Sequence, residues 1–434
     1  AAPARGDLPR NGDVGKVLID TLDFCRLIGT IKGMNRPQPI QPLYLGLFLL
    51  ATLGLSYGVW LASGVRLVLA FWVAILLGLA LFHAKFGFAS GFRRFLLTGE
   101  SRLLRAHFLL FTLASLLFFP FLVQGEAFGQ AVQGFVVPIG IALAVGAFLF
   151  GIGMQLGDGC ASGTLYHTGS GDTRGILVLL GFMVGSLLGV YHLSYWQALP
   201  AWNPGSALTW FSSPYMGLLL WIGLLAFLYL LVSRVEKRRT GQVVPLWQRE
   251  ATHPLFGPWS LVGGAAVLAL GSLLILLLLG RPWGVTAAFA LWGGKLAQLL
   301  GIPVMDWALF NNPAFAEKLE QSILKDPTSV TNFGVFLGAF LGATLGGAFK
   351  LQDLRRIPWT THLGVFLGGV LMGYGARLAG GCNIGAYLGG TASFSLHGPL
   401  WGVFALLGTA LGVQLRPACR LENEGRTGKS LPST

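Results

Sequence analysis

Charged residues are scarce in this sequence: Asp, Glu, Lys and Arg together make up 11% of 434 residues, whereas hydrophobic residues make up 54%. A soluble domain of this composition would aggregate, so an ordinary soluble protein is excluded. The net charge of +13 would suggest nucleic-acid binding in a soluble protein. Here the basic residues cluster beside long apolar segments, which indicates membrane topology and no nucleic-acid partner.

Cysteine is rare as well. The four cysteines form no Cys-x-x-Cys pair, which argues against a zinc site or a dithiol redox motif. The six methionines do not cluster at the cysteines, so ligands for a soft metal are few. There is no Walker motif, so direct use of ATP is not expected, and no cofactor is predicted. No function is assigned to Cys25 or Cys419.

Long apolar segments are abundant and predict an all-α membrane protein with about ten transmembrane helices, because each matches the hydrocarbon thickness of a bilayer. No cleavable signal peptide is expected, since the first apolar run starts near Pro42. The predicted spans are 43–62, 66–84, 104–123, 135–156, 175–194, 214–233, 259–280, 331–349, 361–378 and 398–415.

Basic residues fall repeatedly on one side of these spans, as the positive-inside rule requires of the cytoplasmic side. The connections 195–213 and 379–397, on the other side, contain no charged residue. Residues 1–40 are therefore predicted to be cytoplasmic, with either an amphipathic helix or an ordinary lead-in between Val14 and Met34. Residues 416–434 are predicted to form a cytoplasmic tail.

The chain contains an internal duplication centred on two of its cysteines. When Cys160 is aligned with Cys382, residues 151–163 match residues 373–385 at six positions, and five of these are glycine or cysteine. Rows of glycines at four-residue spacing, such as those at 181, 185 and 189, further predict close packing of helices.

The duplication divides the chain into two halves of five spans each, at 43–194 and 214–415, joined by an outer loop at 195–213. Because five is an odd number, the second half is expected to be inverted relative to the first. Inverted repeats with interrupted helices are typical of transporters, whose sites lie near the membrane midplane at the repeat interface.

Four segments are too short to span the membrane. Phe86–Leu97 and Phe289–Leu300 occupy comparable places in the two halves. Residues 161–171 and 383–393, each directly after a repeated cysteine, contain glycines and are neither clear spans nor charged loops. Short re-entrant helices are predicted there, because irregular backbone at membrane depth is tolerated only where protein or a water-filled cavity satisfies it.

The repeated cysteines and their neighbours are the candidate pathway residues. A single membrane cysteine is usually a small buried hydrophobe, but two at equivalent positions favour a functional pair. The adjacent glycines are expected to let backbone approach a ligand. Asp158 and Arg377 are candidates because charges at membrane depth are costly, although helix capping and snorkelling are alternatives for them. The full predicted set is Cys160, Cys382, Gly159, Gly163, Gly381, Gly385, Asn383, Asp158 and Arg377.

At Gly157–Gly163 (Gly-Asp-Gly-Cys-Ala-Ser-Gly) and Gly380–Gly385 (Gly-Gly-Cys-Asn-Ile-Gly), the sequence resembles the YeeE/YedE sulfur-transport family. The similarity extends from about 80 to about 415 and includes Leu291–Lys295 and Phe88–Arg93. The resemblance implies a multi-pass protein of the bacterial inner membrane with an hourglass shape, short helices that meet at the centre, and cysteine thiols that hold thiosulfate in turn.

One position departs from the family. Members often carry a further cysteine in the first short helix, and the position that matches it here is Gly87. The resemblance thus implies a relay of two thiols in place of three. It also suggests a cytoplasmic sulfur carrier of the TusA type as a partner.

The residues and the resemblance together lead to a transport hypothesis. The segments after Cys160 and Cys382 begin with free backbone N–H groups and the positive end of a helix dipole, which favour an anion without a lysine. Neutral thiols are weak, polarisable donors suited to a sulfur atom. Hand-off of thiosulfate from Cys382 on the outer side to Cys160 on the inner side, without a covalent intermediate, is the predicted mechanism.

Other functions stay open at this stage. The cargo could equally be a selenium compound or sulfide, since the thiols do not distinguish them. A membrane thiol enzyme such as a sulfurtransferase would use the same cysteines, but such chemistry usually needs a Cys-x-x-Cys pair or an activated thiolate. Transport is therefore expected, and enzymatic activity is not.

Overall fold

The computed structural model describes residues 41–247, 253–307 and 313–423. Ten helical segments in these ranges are long and apolar enough to cross a membrane, which confirms the prediction of an all-α membrane protein. The predicted amphipathic helix between Val14 and Met34 lies outside the described residues, as does the tail beyond residue 423.

Helices account for most of the described chain. The first half contains α1 (Pro42–Ser63), α2 (Val65–His83), α3 (Phe88–Thr98), α4 (Arg102–Gln124), α5 (Ile141–Leu156), α6 (Ala161–Gly169), α7 (Arg174–Tyr191) and α8 (Leu193–Gln197). The second half contains α9 (Pro214–Thr240), α10 (Leu261–Leu279), α11 (Ala287–Leu299), α12 (Pro313–Glu320), α13 (Pro327–Leu345), α14 (Trp359–Leu378), a π-helix (Asn383–Leu388), α15 (Gly389–Ala392) and α16 (His397–Leu415).

Minor elements occupy the connections. Single turns of 3-10 helix lie at Ala207–Thr209, Val304–Asp306, Ile323–Lys325, Leu354–Arg356 and Arg416–Cys419. Two antiparallel strand pairs are formed by β1 (Glu126–Ala127) with β2 (Gln130–Ala131), and by β3 (Ile139–Gly140) with β4 (Ala201–Trp202). The predicted outer loop 195–213 therefore carries the end of α8, strand β4 and a helical turn.

The helix boundaries follow local chemistry. Pro42, Pro214 and Pro327 stand in the first turn of α1, α9 and α13, where the missing N–H costs nothing. Asp326 caps α13, since its carboxylate accepts a bond from the Ser329 N–H at 2.7 Å. Gly280 ends α10 in the left-handed conformation, which glycine adopts without strain.

Two predicted boundaries were wrong. Helix α5 begins at Ile141 and not at 135, because the preceding residues bond to another part of the chain: the Phe135 N–H donates to Ser393 Oγ at 2.8 Å. Helix α9 continues to Thr240, seven residues past the predicted end. This polar extension is anchored by buried Glu236, whose carboxylate accepts a bond from Arg105 at 3.1 Å.

The glycine rows bring helices of the two halves into close contact, as predicted. A Cβ at Gly338 of α13 would lie 2.0 Å from the carbonyl oxygen of Ile75 in α2. A Cβ at Gly185 of α7 would lie 2.0 Å from the carbonyl oxygen of Val370 in α14. No larger side chain fits at either place. Glycine is therefore required for the close contact through which helices associate in lipid, where no hydrophobic effect drives them together.

Connections on one side of the bundle form what we call the basic face. There the Gln352 N–H donates to the Gly171 carbonyl at 3.2 Å, and Arg239 donates to the Phe95 carbonyl at 3.0 Å. In the sequence, Gln352 lies between Lys350 and Arg355, and Arg239 directly follows Lys237 and Arg238. Both the turn before Cys160 and the helical turn Arg416–Cys419 lie on this side.

The remaining connections form the opposite face. The Gln133 N–H donates to the Gly280 carbonyl at 2.9 Å, and the Ala207 N–H donates to the Phe394 carbonyl at 2.8 Å. These bonds bring the connections before α5, after α10 and around α15 together. The division into inverted repeats and the hourglass shape stay predictions.

Candidate transport pathway

Cys160 stands between two helices, where α5 has ended and α6 has not yet begun. It is the N-cap of α6, and its sulfur accepts a bond from the Gly163 N–H at 3.4 Å. The Ser162 hydroxyl lies 3.3 Å from the same sulfur. The side chain is almost fully buried. The thiol thus faces the first turn of α6, where N–H groups have no partner within the helix.

Cys382 occupies the corresponding place after α14. It precedes the π-helix Asn383–Leu388, and its carbonyl oxygen accepts bonds from the N–H groups of Ala386 at 2.8 Å and Tyr387 at 3.2 Å. The side chain is fully buried. Short helices thus follow both cysteines, where the sequence predicted them, although the second is a wider π-helix that continues into α15.

The structure brings together the short helices that follow the two cysteines. Helix α6 packs against the π-helix after Cys382. Residues that are far apart in sequence therefore meet inside the bundle.

The predicted glycines fall into two groups. Gly151 and Gly375 are packing residues, since a Cβ at either would lie 2.2–2.3 Å from a backbone carbonyl oxygen. Those beside the cysteines are less confined: a Cβ at Gly163 would meet the Cys160 sulfur at 3.5 Å, and one at Gly385 would meet only Gly284 Cα, at 4.0 Å. Gly159 is similarly open, with its nearest contact at 3.5 Å.

Gly381 is required by the backbone itself, because its φ of +148° is strained for residues with a side chain. Its neighbour Gly380 also has a positive φ, of +74°. These two glycines make the sharp turn that places Cys382 at the start of its short helix.

A cavity of about 330 Å³ opens on the opposite face beside this turn. Gly380 and Gly385, which flank Cys382, contribute to its wall. The wall also contains Arg281 and Arg377, and no Asp or Glu is among its lining residues.

The two cavity arginines bond to neutral groups. Arg377 Nη2 donates to Thr286 Oγ1 at 2.9 Å, and Arg281 Nη2 reaches Thr328 Oγ1 at 3.5 Å. Within the described chain, the buried Nε of Arg377 has no hydrogen-bond partner. Since hydroxyls do not neutralise guanidinium charge, the cavity carries positive potential suited to an anion. Arg377 thus lines the cavity and bonds to the Thr286 hydroxyl.

Asn383 follows Cys382 directly and is fully buried. Neither its amide nitrogen nor its amide oxygen has a partner among the residues that the structure describes. Trp283, a cavity-lining residue, likewise has a buried indole N–H without a partner there. Buried polar groups are normally satisfied, so these donors are available to a ligand or to water.

Asp158 does not cap a helix, which was the alternative reading. Its carboxylate contacts three arginines: Oδ1 lies 2.9 Å from Arg416 Nη1 and 3.6 Å from Arg93 Nη1, and Oδ2 lies 3.8 Å from Arg174 Nη2. These four residues lie at the basic face, and Asp158 precedes Cys160 by two residues.

Several of these residues were missed by sequence reasoning. Arg281 lies just after α10, at the start of the stretch 281–330. The acidic and basic residues of this stretch are equal in number, so its charge did not draw attention to Arg281. Arg93 and Arg416 were read only as topology-setting charges, and Arg174 was not singled out. Their spacing of some 80 and 240 residues gives no signal that they meet in the folded chain.

Gly87 is the position at which members of the resembled family often carry a further cysteine. Gly87 is the N-cap of α3, and a Cβ at this residue would lie 2.2 Å from Ser90 Oγ. The Ser90 hydroxyl in turn donates to the Gly87 carbonyl at 3.1 Å. A hydroxyl thus occupies the space into which a side chain at position 87 would extend. Within the described ranges, no three His, Cys, Asp or Glu residues come together as a metal site.

The chain is similar in sequence to known and probable transporters. The sequence model of the sulphur transport family matches residues 83–411. The thiosulfate transporter TsuA of Spirochaeta thermophila is 29% identical over 351 residues, which cover 77% of this chain and 94% of the relative. TsuA of Escherichia coli is 29% identical over 365 residues, covering 77% and 90%. The probable transporter YedE of Escherichia coli is 33% identical over 136 residues, or 31% and 32%.

The cavity arginines generate a testable prediction. Replacing Arg281 by Gln removes one of two positive charges from the wall, so divalent anions should bind about tenfold more weakly. Arg281→Lys should retain most of the affinity because it keeps the charge. Titration calorimetry with thiosulfate and purified protein measures both. Equal affinity in wild type and Arg281→Gln would contradict an anion-binding role for the cavity.

Proposed function

The chain belongs to the sulphur transport family, and we propose that it carries thiosulfate across the bacterial inner membrane. The observation that carries this proposal is the cavity on the opposite face, whose lining residues include two arginines, no carboxylate, and the glycines Gly380 and Gly385 on either side of Cys382. A doubly charged anion with a soft sulfur fits both features. Its oxygens suit guanidinium groups, and its terminal sulfur suits a thiol.

Capture is the first step. The positive potential of Arg281 and Arg377 concentrates anions in the cavity. Both guanidinium groups have hydroxyl partners that hold them in place without cancelling their charge. Thiosulfate then reaches Cys382 past Gly385, where the absence of a side chain leaves the approach open.

Transfer is the second step. The sulfur of thiosulfate accepts a hydrogen bond from the Cys382 thiol and passes to the Cys160 thiol, which lies at the start of α6 beside the Gly163 N–H. The positive end of each short helix stabilises the anion without a lysine. No covalent bond forms, so no oxidant or reductant is needed.

Weak binding at the centre is essential for conduction. A thiol donates only a weak hydrogen bond, and a site that held the anion by full ion pairs would not release it. In the proposed mechanism, the arginines attract the anion at the cavity and the thiols beyond them hold it only weakly.

The relatives favour thiosulfate over the alternative cargoes. The two relatives whose matches cover most of both chains are named thiosulfate transporters, whereas the match to YedE covers about a third of each chain. A selenium compound or sulfide remains the alternative substrate. The family and the names of its members concern transport, which argues against a thiol enzyme.

We further propose that the basic face is cytoplasmic, so that both termini lie inside and transport runs inward from the cavity. The support is the concentration of Lys and Arg on that face. A TusA-type sulfur carrier as the receiver on the cytoplasmic side stays an expectation from the family.

Removal of the thiols tests the hand-off. In bacteria that lack other sulfate and thiosulfate importers, Cys160→Ala and Cys382→Ala should each lower uptake of labelled thiosulfate by about tenfold, because each removes one binding step. Cys419→Ala is the matched control, since Cys419 is also a free cysteine but no step of the proposed hand-off uses its thiol. It should transport as wild type does.

The amount of protein in the membrane must be equal for all three variants, which immunoblotting shows. Undiminished uptake by both Cys160→Ala and Cys382→Ala would refute the thiol pathway. Loss of uptake in Cys419→Ala as well would indicate a general defect of cysteine replacement.

Orientation can be tested independently. In a Cys25→Ala/Cys419→Ala background, a membrane-impermeant maleimide applied to intact spheroplasts should label Asn203→Cys on the opposite face and leave Asp353→Cys on the basic face unlabelled. Both positions are exposed. The reverse pattern would overturn the proposed direction of the protein in the membrane.

A further inference from the structure

The short segment 281–286, between α10 and α11, forms one wall of the cavity on the opposite face. All six of its residues line the cavity. Helix α13 holds the segment in place, because Asn332 Nδ2 donates to the Val285 carbonyl at 2.9 Å. The segment also adjoins the π-helix after Cys382, since a Cβ at Gly385 would lie 4.0 Å from Gly284 Cα. Its side chains therefore lie next to the route from the cavity to Cys382.

Trp283 is the largest side chain of this segment. It lines the cavity, although its side chain is only 2% exposed. Its indole N–H has no hydrogen-bond partner among the residues that the structure describes. In the neighbouring helix α11, by contrast, the indole N–H of Trp292 donates to Ser329 Oγ at 2.8 Å. A buried donor left unpaired destabilises the fold, so the Trp283 N–H points to a ligand that pairs with it.

Arg377 contributes a second buried donor from another element, helix α14. It lines the same cavity, and its Nη2 donates to Thr286 Oγ1 at 2.9 Å. Its buried Nε–H has no partner within the described chain. Because Thr286 belongs to the same segment as Trp283, the bond from Nη2 ties the two walls together. Donors from two separate elements thus meet at one cavity.

Asn383 continues this pattern beside the first thiol. It directly follows Cys382 and stands in the sequence between two cavity-lining glycines, Gly380 and Gly385. It is fully buried, and both polar atoms of its amide lack a partner in the part of the chain that the structure describes. A donor for an anion is therefore also available next to Cys382.

Unpaired donors on separate elements favour an anion with several acceptor atoms. The oxygens of an SO₃ group point in different directions and can accept bonds from two or three donors at once. Hydrosulfide has a single acceptor atom, so it would leave at least one donor unpaired. A site with buried donors rejects a ligand that leaves them unpaired. The thiols cannot make this distinction, because both anions present a sulfur.

We propose that Trp283 and Arg377 form an oxyanion subsite, in which the indole N–H and the Nε–H bind oxygens of the cargo. Asn383 is the next donor inward. The cargo is thereby an anion with several oxygens, such as thiosulfate or a selenium oxyanion, and not sulfide. This inference rests on the proposed function, because it names the chemical class that the same cavity selects.

Replacing Trp283 by Phe tests the subsite, because the variant keeps an aromatic ring and the charge of the cavity but lacks the indole N–H. Titration calorimetry on purified protein compares thiosulfate, sulfate and hydrosulfide, the last as an anion without oxygen. Trp283→Phe should bind thiosulfate and sulfate about tenfold more weakly and hydrosulfide as wild type does. Arg281→Gln removes charge instead and should weaken the binding of all three. Hydrosulfide binding too weak to measure in wild type would agree with selection for oxygens.

Arg377→Lys is an independent variant, since it keeps the charge and removes the Nε–H. It should also bind thiosulfate about tenfold more weakly, whereas Arg281→Lys should keep most of the affinity. Trp210→Phe is the matched control. Trp210 is on the opposite face, donates to the Pro204 carbonyl at 2.7 Å and is not among the residues that line the cavity. Its replacement should leave every affinity unchanged.

A folded state of each variant is verified by size-exclusion chromatography. Unchanged thiosulfate affinity in folded Trp283→Phe would overturn the proposal. So would an equal loss of thiosulfate and hydrosulfide binding, which indicates a general defect of the cavity. If Trp283→Phe does not fold, Arg377→Lys decides by the same criteria.

The outcome separates this inference from the proposed function. If the cysteine variants lose thiosulfate uptake but Trp283→Phe binds thiosulfate as wild type does, the thiol pathway stands and the oxyanion subsite fails. If Trp283→Phe loses affinity for oxyanions alone while both cysteine variants transport normally, the subsite stands and the thiol hand-off fails.

Discussion

The backbone at the two cysteines must satisfy its hydrogen bonds without help from lipid, and the central architecture depends on this constraint. Helices α5 and α14 end within the bundle, and new helices start within a few residues. At Cys160 the sulfur itself accepts the Gly163 N–H, and the Cys160 carbonyl accepts the Thr164 N–H at 2.7 Å. At Cys382 the carbonyl serves two N–H groups. Each cysteine thus satisfies backbone N–H groups at a helix start and also belongs to the proposed pathway.

Close packing of glycine-rich helices surrounds these helix breaks with protein. The contacts at Gly338 and Gly185 join helices from different halves of the chain at backbone distance. Neighbouring helices consequently hold the short helices on several sides. Most of the interior is filled, but small open spaces remain beside Gly163 and Gly385. The combination of a rigid frame with a few bare positions fits a narrow pathway for a small anion.

The partners of the arginines differ between the two faces of the bundle that the proposed pathway connects. Arginines at the opposite face bond to threonine hydroxyls, whereas those at the basic face contact Asp158 and Asp172. The thiols between them carry no formal charge in the proposed mechanism. In the proposed pathway, an anion would therefore meet strong attraction at the cavity and weak binding at the thiols, and this order favours passage over retention.

Much of the fold could be predicted because lipid imposes length and apolar composition on every span. All ten spans were identified, but the start of α5 and the end of α9 were not, since tertiary bonds such as that between Phe135 and Ser393 decide such boundaries. The repeat identified Cys160 and Cys382 because symmetry leaves a sequence signal. The partners of Asp158 left none, because three arginines from distant segments meet only in the folded chain.

Transport by the purified protein in liposomes tests the central claim most directly. Wild-type protein, with a thiosulfate gradient and no other solute gradient, should show saturable uptake of labelled thiosulfate and little uptake of sulfate, which lacks the soft terminal sulfur. Equal transport of both anions would contradict recognition by thiols. Absence of any thiosulfate uptake by correctly inserted protein would contradict the account as a whole.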